Sequence, residues 1–151
     1  FLRPNPLYKT PQQAAAAAAR ADQKLQKRTG AEHGSPVFKI SKGVYTYAGP
    51  FTQNQKTQVD PFNTTGVAKE KVVPLDSQPI PLGMELTGEA HSHPDNVGFS
   101  GEDVQRGHDL TVSGNHHPEF EGEYVGLPNG TVIRYDPETG HQTMYEPGEP
   151  Q

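Results

Sequence analysis

Gly88-Glu89-Ala90-His91-Ser92-His93-Pro94, followed after a short loop by Phe99-Ser100-Gly101-Glu102-Asp103, is the stretch on which the reading of this chain turns. Met84 to His93 reads as a strand. In a strand, residues two apart point to the same face, so His91 and His93 can offer both imidazoles to one ion. Pro94 cannot donate to a ladder and ends the strand. Ser100 to Asp103 has the spacing of a helix start, which holds Asp103 in the first turn with its carboxylate able to lean back toward the strand end. A short helix is expected from Ser100 to about Leu110. Two neutral imidazoles and one carboxylate leave a fourth position open on tetrahedral zinc, the arrangement of a catalytic site and not of a closed structural one.

Upstream, Thr10-Pro11-Gln12-Gln13 supplies an N-cap, a proline at the first helical position and a Gln at the third. The Ala14 to Ala19 run that follows has the highest intrinsic helix propensity, and its small side chains allow close approach to another element. Thr29-Gly30 should close this helix, with Lys27 and Arg28 complementing the carbonyl end of its dipole. Val37 to Ile40 and Val44 to Tyr47 flank Ser41-Lys42-Gly43 and predict a hairpin with a three-residue loop. Thr52 to Pro81 is polar, is broken by Pro61, Pro74, Pro79 and Pro81, and reads as a surface insertion with one strand candidate at Lys71 to Val73. Downstream, Tyr124 to Leu127 and Thr131 to Tyr135 predict a second hairpin around Pro128-Asn129-Gly130. Gln142 to Tyr145 follows an Asp136-Pro137-Glu138-Thr139-Gly140 turn.

The sum is an α+β pattern: a mostly antiparallel sheet, one long N-terminal helix and a short helix after the histidine strand. With 151 residues the chain suits one compact domain. We divide it into an extended lead-in (1–9), a domain (10–146) with a polar insertion near 52–81, and a tail (147–151). Only 31% of residues are hydrophobic and there are 16 Gly and 15 Pro, so the core must be modest and the loops plentiful.

The chain has no Cys, which excludes disulfides and thiolate metal sites and leaves His, Asp and Glu as metal ligands. A formal charge of -5 argues against a general nucleic-acid surface, which needs clustered Lys and Arg. The one basic cluster, Lys24 to Arg28, reads as a solvated helix end. No apolar run is long enough to span a membrane and no signal sequence opens the chain. Each half of the central motif also has an ordinary reading: His-x-His can be incidental, and Ser-Gly-Glu-Asp is a common helix cap.

Taken jointly, His91-x-His93-Pro94, a short loop and Ser100-x-x-Asp103 resemble the metal motif of the JAMM (JAB/MPN) metallopeptidases. That resemblance implies zinc bound by His91, His93 and Asp103, with Ser100 stabilising the tetrahedral intermediate. It also implies a general base from an earlier Glu-x-Gly, matched by Glu32-His33-Gly34, so that Glu32 is the base. Glu89 is its rival, because it shares the strand face of His91 and His93, and it is otherwise a partner that orients a ligand. The loop between His93 and Ser100 is one residue shorter than in the deubiquitinating members. The pattern is closer to a JAMM-like branch at the ends of bacterial polymorphic toxins, in which Phe-Ser-x-x-Asp and a late Tyr-Asp-Pro recur; here these are Phe99 to Asp103 and Tyr135-Asp136-Pro137.

Phe1-Leu2-Arg3-Pro4-Asn5-Pro6-Leu7 is similar to the segment that closes the repeat shell of Rhs proteins. With the non-Met first residue, it leads us to expect the C-terminal toxin of a secreted effector without a signal peptide, acting on a protein or peptide in the target-cell cytoplasm and held in check by a cognate immunity protein. Two rival readings remain open at this point: a metal-dependent nuclease toxin and a non-catalytic MPN-like binding module. His116 and His117 could line the cleft but suit a turn better. His33, His108 and His141 read as surface residues or as neighbours of the ligands.

Overall fold

The computed structural model describes residues 5–52, 84–96, 98–99, 101 and 117–145. The expected helix from Ser100 and the strand candidate at Lys71 to Val73 lie outside them. The described residues form an α+β fold, a mostly antiparallel sheet with one long helix packed on it. None of their helices is long and apolar enough to cross a membrane.

Helix α1 runs Pro11–Thr29. The Thr10 side chain accepts from the Gln13 N–H at 3.1 Å, and the Gln13 side chain accepts from the Lys9 N–H at 3.1 Å, one residue before the cap that the pattern predicts. At the other end Gly30 donates its N–H to the Gln26 carbonyl at 2.8 Å, where the sequence ends the helix. Among the described residues seven strands follow: β1 (His33–Ser41), β2 (Val44–Tyr47), β3 (Phe51–Thr52), β4 (Glu85–Ser92), β5 (Gly122–Gly126), β6 (Val132–Tyr135) and β7 (Gln142–Tyr145). The sheet order is β2-β1-β4-β5-β6-β7, with β3 beside the start of β1. Every pair is antiparallel except β4 and β5. The lead-in is bound to this sheet: Tyr8 and Tyr45 exchange backbone hydrogen bonds at 2.7 and 2.9 Å.

Three expectations are corrected. The first hairpin has a two-residue loop, Lys42-Gly43, because Ser41 pairs with Val44. Gly43 takes φ 73, the left-handed conformation such a turn demands and other residues resist. Strand β1 begins four residues before Val37. Pro36 is tolerated within it because its carbonyl accepts from the Ala48 N–H at 3.0 Å where β2 has ended and β3 has not begun, so its missing N–H faces a break in the neighbouring strand. Thr52 belongs to β3 and not to the insertion. The Pro128-Asn129-Gly130 hairpin and the turn after Tyr135 form as the sequence predicts.

The core on the helix side joins Ala14, Ala15, Ala16, Ala18 and Ala19 to Val37, Ala90, Tyr124 and Val132. Alanine brings the helix axis close to the sheet, and at Gly126 the approach leaves no room for a side chain. A Cβ there would lie 2.4 Å from the Ala19 carbonyl oxygen and 3.0 Å from its carbon. Both are backbone atoms that no rotamer change can remove. Gly126→Ala should therefore push α1 off the ends of β4 and β5, with an overpacking cost of about 1–3 kcal/mol. Urea unfolding would show this as a lower midpoint at unchanged slope.

Candidate functional site

His91 lies near the end of β4 and His93 directly after it. Strand alternation puts both on the face away from α1, and their Nε2 atoms are 3.1 Å apart with ring centroids at 4.9 Å. Both are nearly sealed from solvent, at 5% and 9% exposure. A tetrahedral zinc with nitrogens at 2.0–2.1 Å spaces two of them by about 3.3 Å. The spacing of the two nitrogens is thus close to the bite of a tetrahedral metal.

The surroundings on that face are apolar on one side and acidic on the other. His91 is in register with Val125, and its ring meets Phe99 edge-on at 6.3 Å. Phe99 packs on Val125, Leu127 and Ile133 and lies 5.9 Å from the Tyr135 ring. Glu89, two residues before His91, is buried and in direct register with buried Glu123 of β5. Glu123 is a side chain of this face that belongs to none of the sequence motifs. The alternation of Glu121 to Val125 could have flagged it, but its neighbour was unknowable without the parallel pairing of β4 and β5.

Glu32 comes to the same end of the sheet. Gly34 pairs with His91, and carrying that register two residues further sets Glu32 opposite His93. It is buried, at 2% exposure. Of the residues expected at the site, His91, His93, Glu89 and Glu32 are therefore gathered at neighbouring strand positions, while Ser100 and Asp103 lie outside the described residues. Among the described residues no group of three His, Asp or Glu side chains converges as a metal site.

His33 is not a surface residue: it is 6% exposed, with Nδ1 at 2.8 Å from the Ala31 carbonyl and its N–H donating to Ser92 Oγ at 3.0 Å. Burial pushes its pKa down, partly offset by the Ala31 bond, so the ring stays neutral at pH 7. His141 is exposed, and His108 and His116 lie outside the described residues.

Behind the sheet, Asp22 of α1 is fully buried, and its Oδ1 accepts from Ser35 Oγ at 2.8 Å while Oδ2 has no hydrogen-bond partner among the described residues. Burial pushes this carboxyl well up from the ordinary aspartate range, against the opposing pull of the Ser35 bond and of His91. The chain matches no protein-family model and no curated protein sequence.

Asp22 gives a signed expectation. The folded state holds its proton more tightly than the unfolded chain, whose aspartates ionise near pH 3.9. Its contribution to stability is therefore intact below that value, falls as the pH rises toward the folded pKa, and is constant beyond it. Asp22→Asn removes the ionisation. The stability of the variant relative to the parent should rise between pH 4 and pH 8 in paired urea titrations; a difference independent of pH would contradict the assignment.

Proposed function

We propose that the chain is a zinc-dependent peptide or isopeptide hydrolase of the JAMM (JAB/MPN) type. The observation that carries this reading is the buried His91 and His93 pair, with Nε2 atoms 3.1 Å apart at a strand end. The register supports it further, because the Glu-x-Gly of residues 32–34 and the His-x-His of residues 91–93 lie on adjacent strands with Gly34 opposite His91. His91 and His93 fit zinc by donor type and spacing, and Asp103 is the third ligand that the resemblance supplies.

A zinc ion on these residues would supply a Lewis acid that polarises the scissile carbonyl and acidifies nearby water. The chain's own groups do the remainder. The Glu32 carboxylate takes a proton from the attacking water as the new C–O bond forms, then delivers it to the amine as the C–N bond breaks. The Ser100 hydroxyl donates to the developing oxyanion, a contribution of about 3 kcal/mol for donors of this kind. The apolar wall of Phe99, Val125 and Ile133 keeps water from competing for these charges and strengthens them.

For biological context we propose the C-terminal toxin domain of a secreted bacterial effector, bound in its producer by an immunity protein that covers the site. The support is the likeness of Phe99 to Asp103, Tyr135 to Pro137 and Phe1 to Leu7 to segments of such toxins.

Metal content and hydrolysis test the chemistry together. The purified chain should hold one zinc and His91→Ala none. Glu32→Gln should keep zinc and lose at least about a hundredfold in cleavage of polypeptide or isopeptide-linked substrates. The same behaviour from Glu89→Gln, with Glu32→Gln active, would exchange the two roles. Cleavage confined to nucleic acid would replace the peptidase reading by the nuclease one. Expression in a bacterial cytoplasm should be toxic, and His93→Ala should abolish the toxicity. Normal growth with abundant, zinc-loaded protein would rule out a bacterial cytoplasmic target.

A further inference from the structure

The separation of the two imidazoles depends on the backbone of His93 as well as on its side chain, and that backbone is held from both sides. Its N–H donates to the Gly126 carbonyl at 3.1 Å, extending the parallel pairing of β4 and β5 one residue past the end of β4. Its carbonyl accepts from Nε2 of Gln23 at 3.0 Å, and the same nitrogen donates to the Gly126 carbonyl at 2.7 Å. An amide nitrogen carries two hydrogens and can serve two carbonyls at once. Two acceptors at one end of the side chain also decide which end is nitrogen.

The strand ladder does not do this work past His93. Pro94 has no N–H with which to continue the ladder, so the direction of the His93 peptide is not fixed by strand pairing beyond this point. Gln23 is buried on α1 and reaches the strand ends because Ala19 and Gly126 let the helix approach so closely. Turning the His93 carbonyl would swing its Cα–Cβ bond, and Nε2 lies far enough out on the ring to amplify that rotation.

We propose that Gln23 is a positioning residue for His93: its side-chain amide holds the His93 carbonyl beside that of Gly126 and so sets the spacing of the His91 and His93 nitrogens. Its consequence for metal affinity rests on the zinc reading given above; its consequence for the imidazole spacing does not.

The test uses isotopically labelled, metal-free chain and zinc titration against a competing chelator. In the wild type, NMR couplings across hydrogen bonds should connect Gln23 Nε2 to the His93 and Gly126 carbonyl carbons, and His91 Nε2 to His93 Nε2. Gln23→Met keeps the length without a donor, and Gln23→Glu places a carboxylate against two carbonyl oxygens. Both should lose the coupling between the histidines and weaken zinc binding at least tenfold. Ala14→Gly, at the far end of α1, loosens the helix without touching the site and should leave the coupling in place and zinc affinity within twofold.

A folded Gln23→Met with wild-type coupling and affinity would overturn the proposal, as would equal losses in Ala14→Gly. If the wild type takes up no zinc, the zinc reading fails while the histidine coupling still decides the role of Gln23. Should neither Gln23 variant fold, the wild-type couplings decide: their presence supports the clamp, and absence of the Gln23 couplings overturns it.

Discussion

The contact between the alanine face of α1 and the sheet is the constraint on which the rest of the structure depends. Five alanines on that face are completely buried against Val37, Ala90, Tyr124 and Val132. A larger side chain at any of them would lift the helix by more than a close-packed core can absorb. Gly126 extends the same economy of volume to the sheet, since the Ala19 carbonyl occupies the space its side chain would need. Short helix-to-sheet distance is what allows Asp22 and Gln23, one turn beyond Ala19, to reach Ser35 and the strand ends with ordinary side-chain lengths.

That geometry converges on the end of the sheet where β4 and β5 run parallel. A parallel pair directs both carboxyl ends the same way, and in open sheets that is where the chain leaves room for ligands. Here β1 lies on the other side of β4 and delivers Glu32 to the same end. The acidic and histidine side chains therefore sit on the face opposite the helix, while the polar groups of α1 act from behind on backbone and hydroxyls. Carboxyl groups are buried on both faces: Asp22 on the helix side, Glu89 and Glu123 on the histidine side. Burying so many ionisable groups in a small domain costs stability, and such costs are commonly concentrated where a site must be electrostatically prepared.

Local signals were legible where local chemistry decides the outcome. The α1 cap, the alanine run, the glycine stop, both hairpins and the His-x-His strand all follow from residues close in sequence. The early start of β1 was hidden by Pro36, because a proline in a strand is tolerated only where the neighbour is interrupted, and that interruption lies between β2 and β3. Glu32 could be named only through a resemblance; that it is buried and in line with His93 depends on how β1 pairs with β4. For Glu123 only the strand alternation was legible and for Gln23 nothing was, since what matters about each is a partner far away in the chain.

By itself, then, the sequence determined the long helix and its caps, the places of both hairpins, the absence of thiolate ligands and the pairing of His91 with His93 on one strand face. These are consequences of backbone propensity and of the two-residue period of a strand. Only the tertiary structure decided that β4 and β5 are parallel, that β1 brings Glu32 to the histidines, and that α1 bonds to the strand ends through Asp22 and Gln23. Those outcomes depend on which surfaces can approach closely. Here that was settled by the volumes of alanine and glycine side chains across a packed interface, a quantity no local pattern encodes.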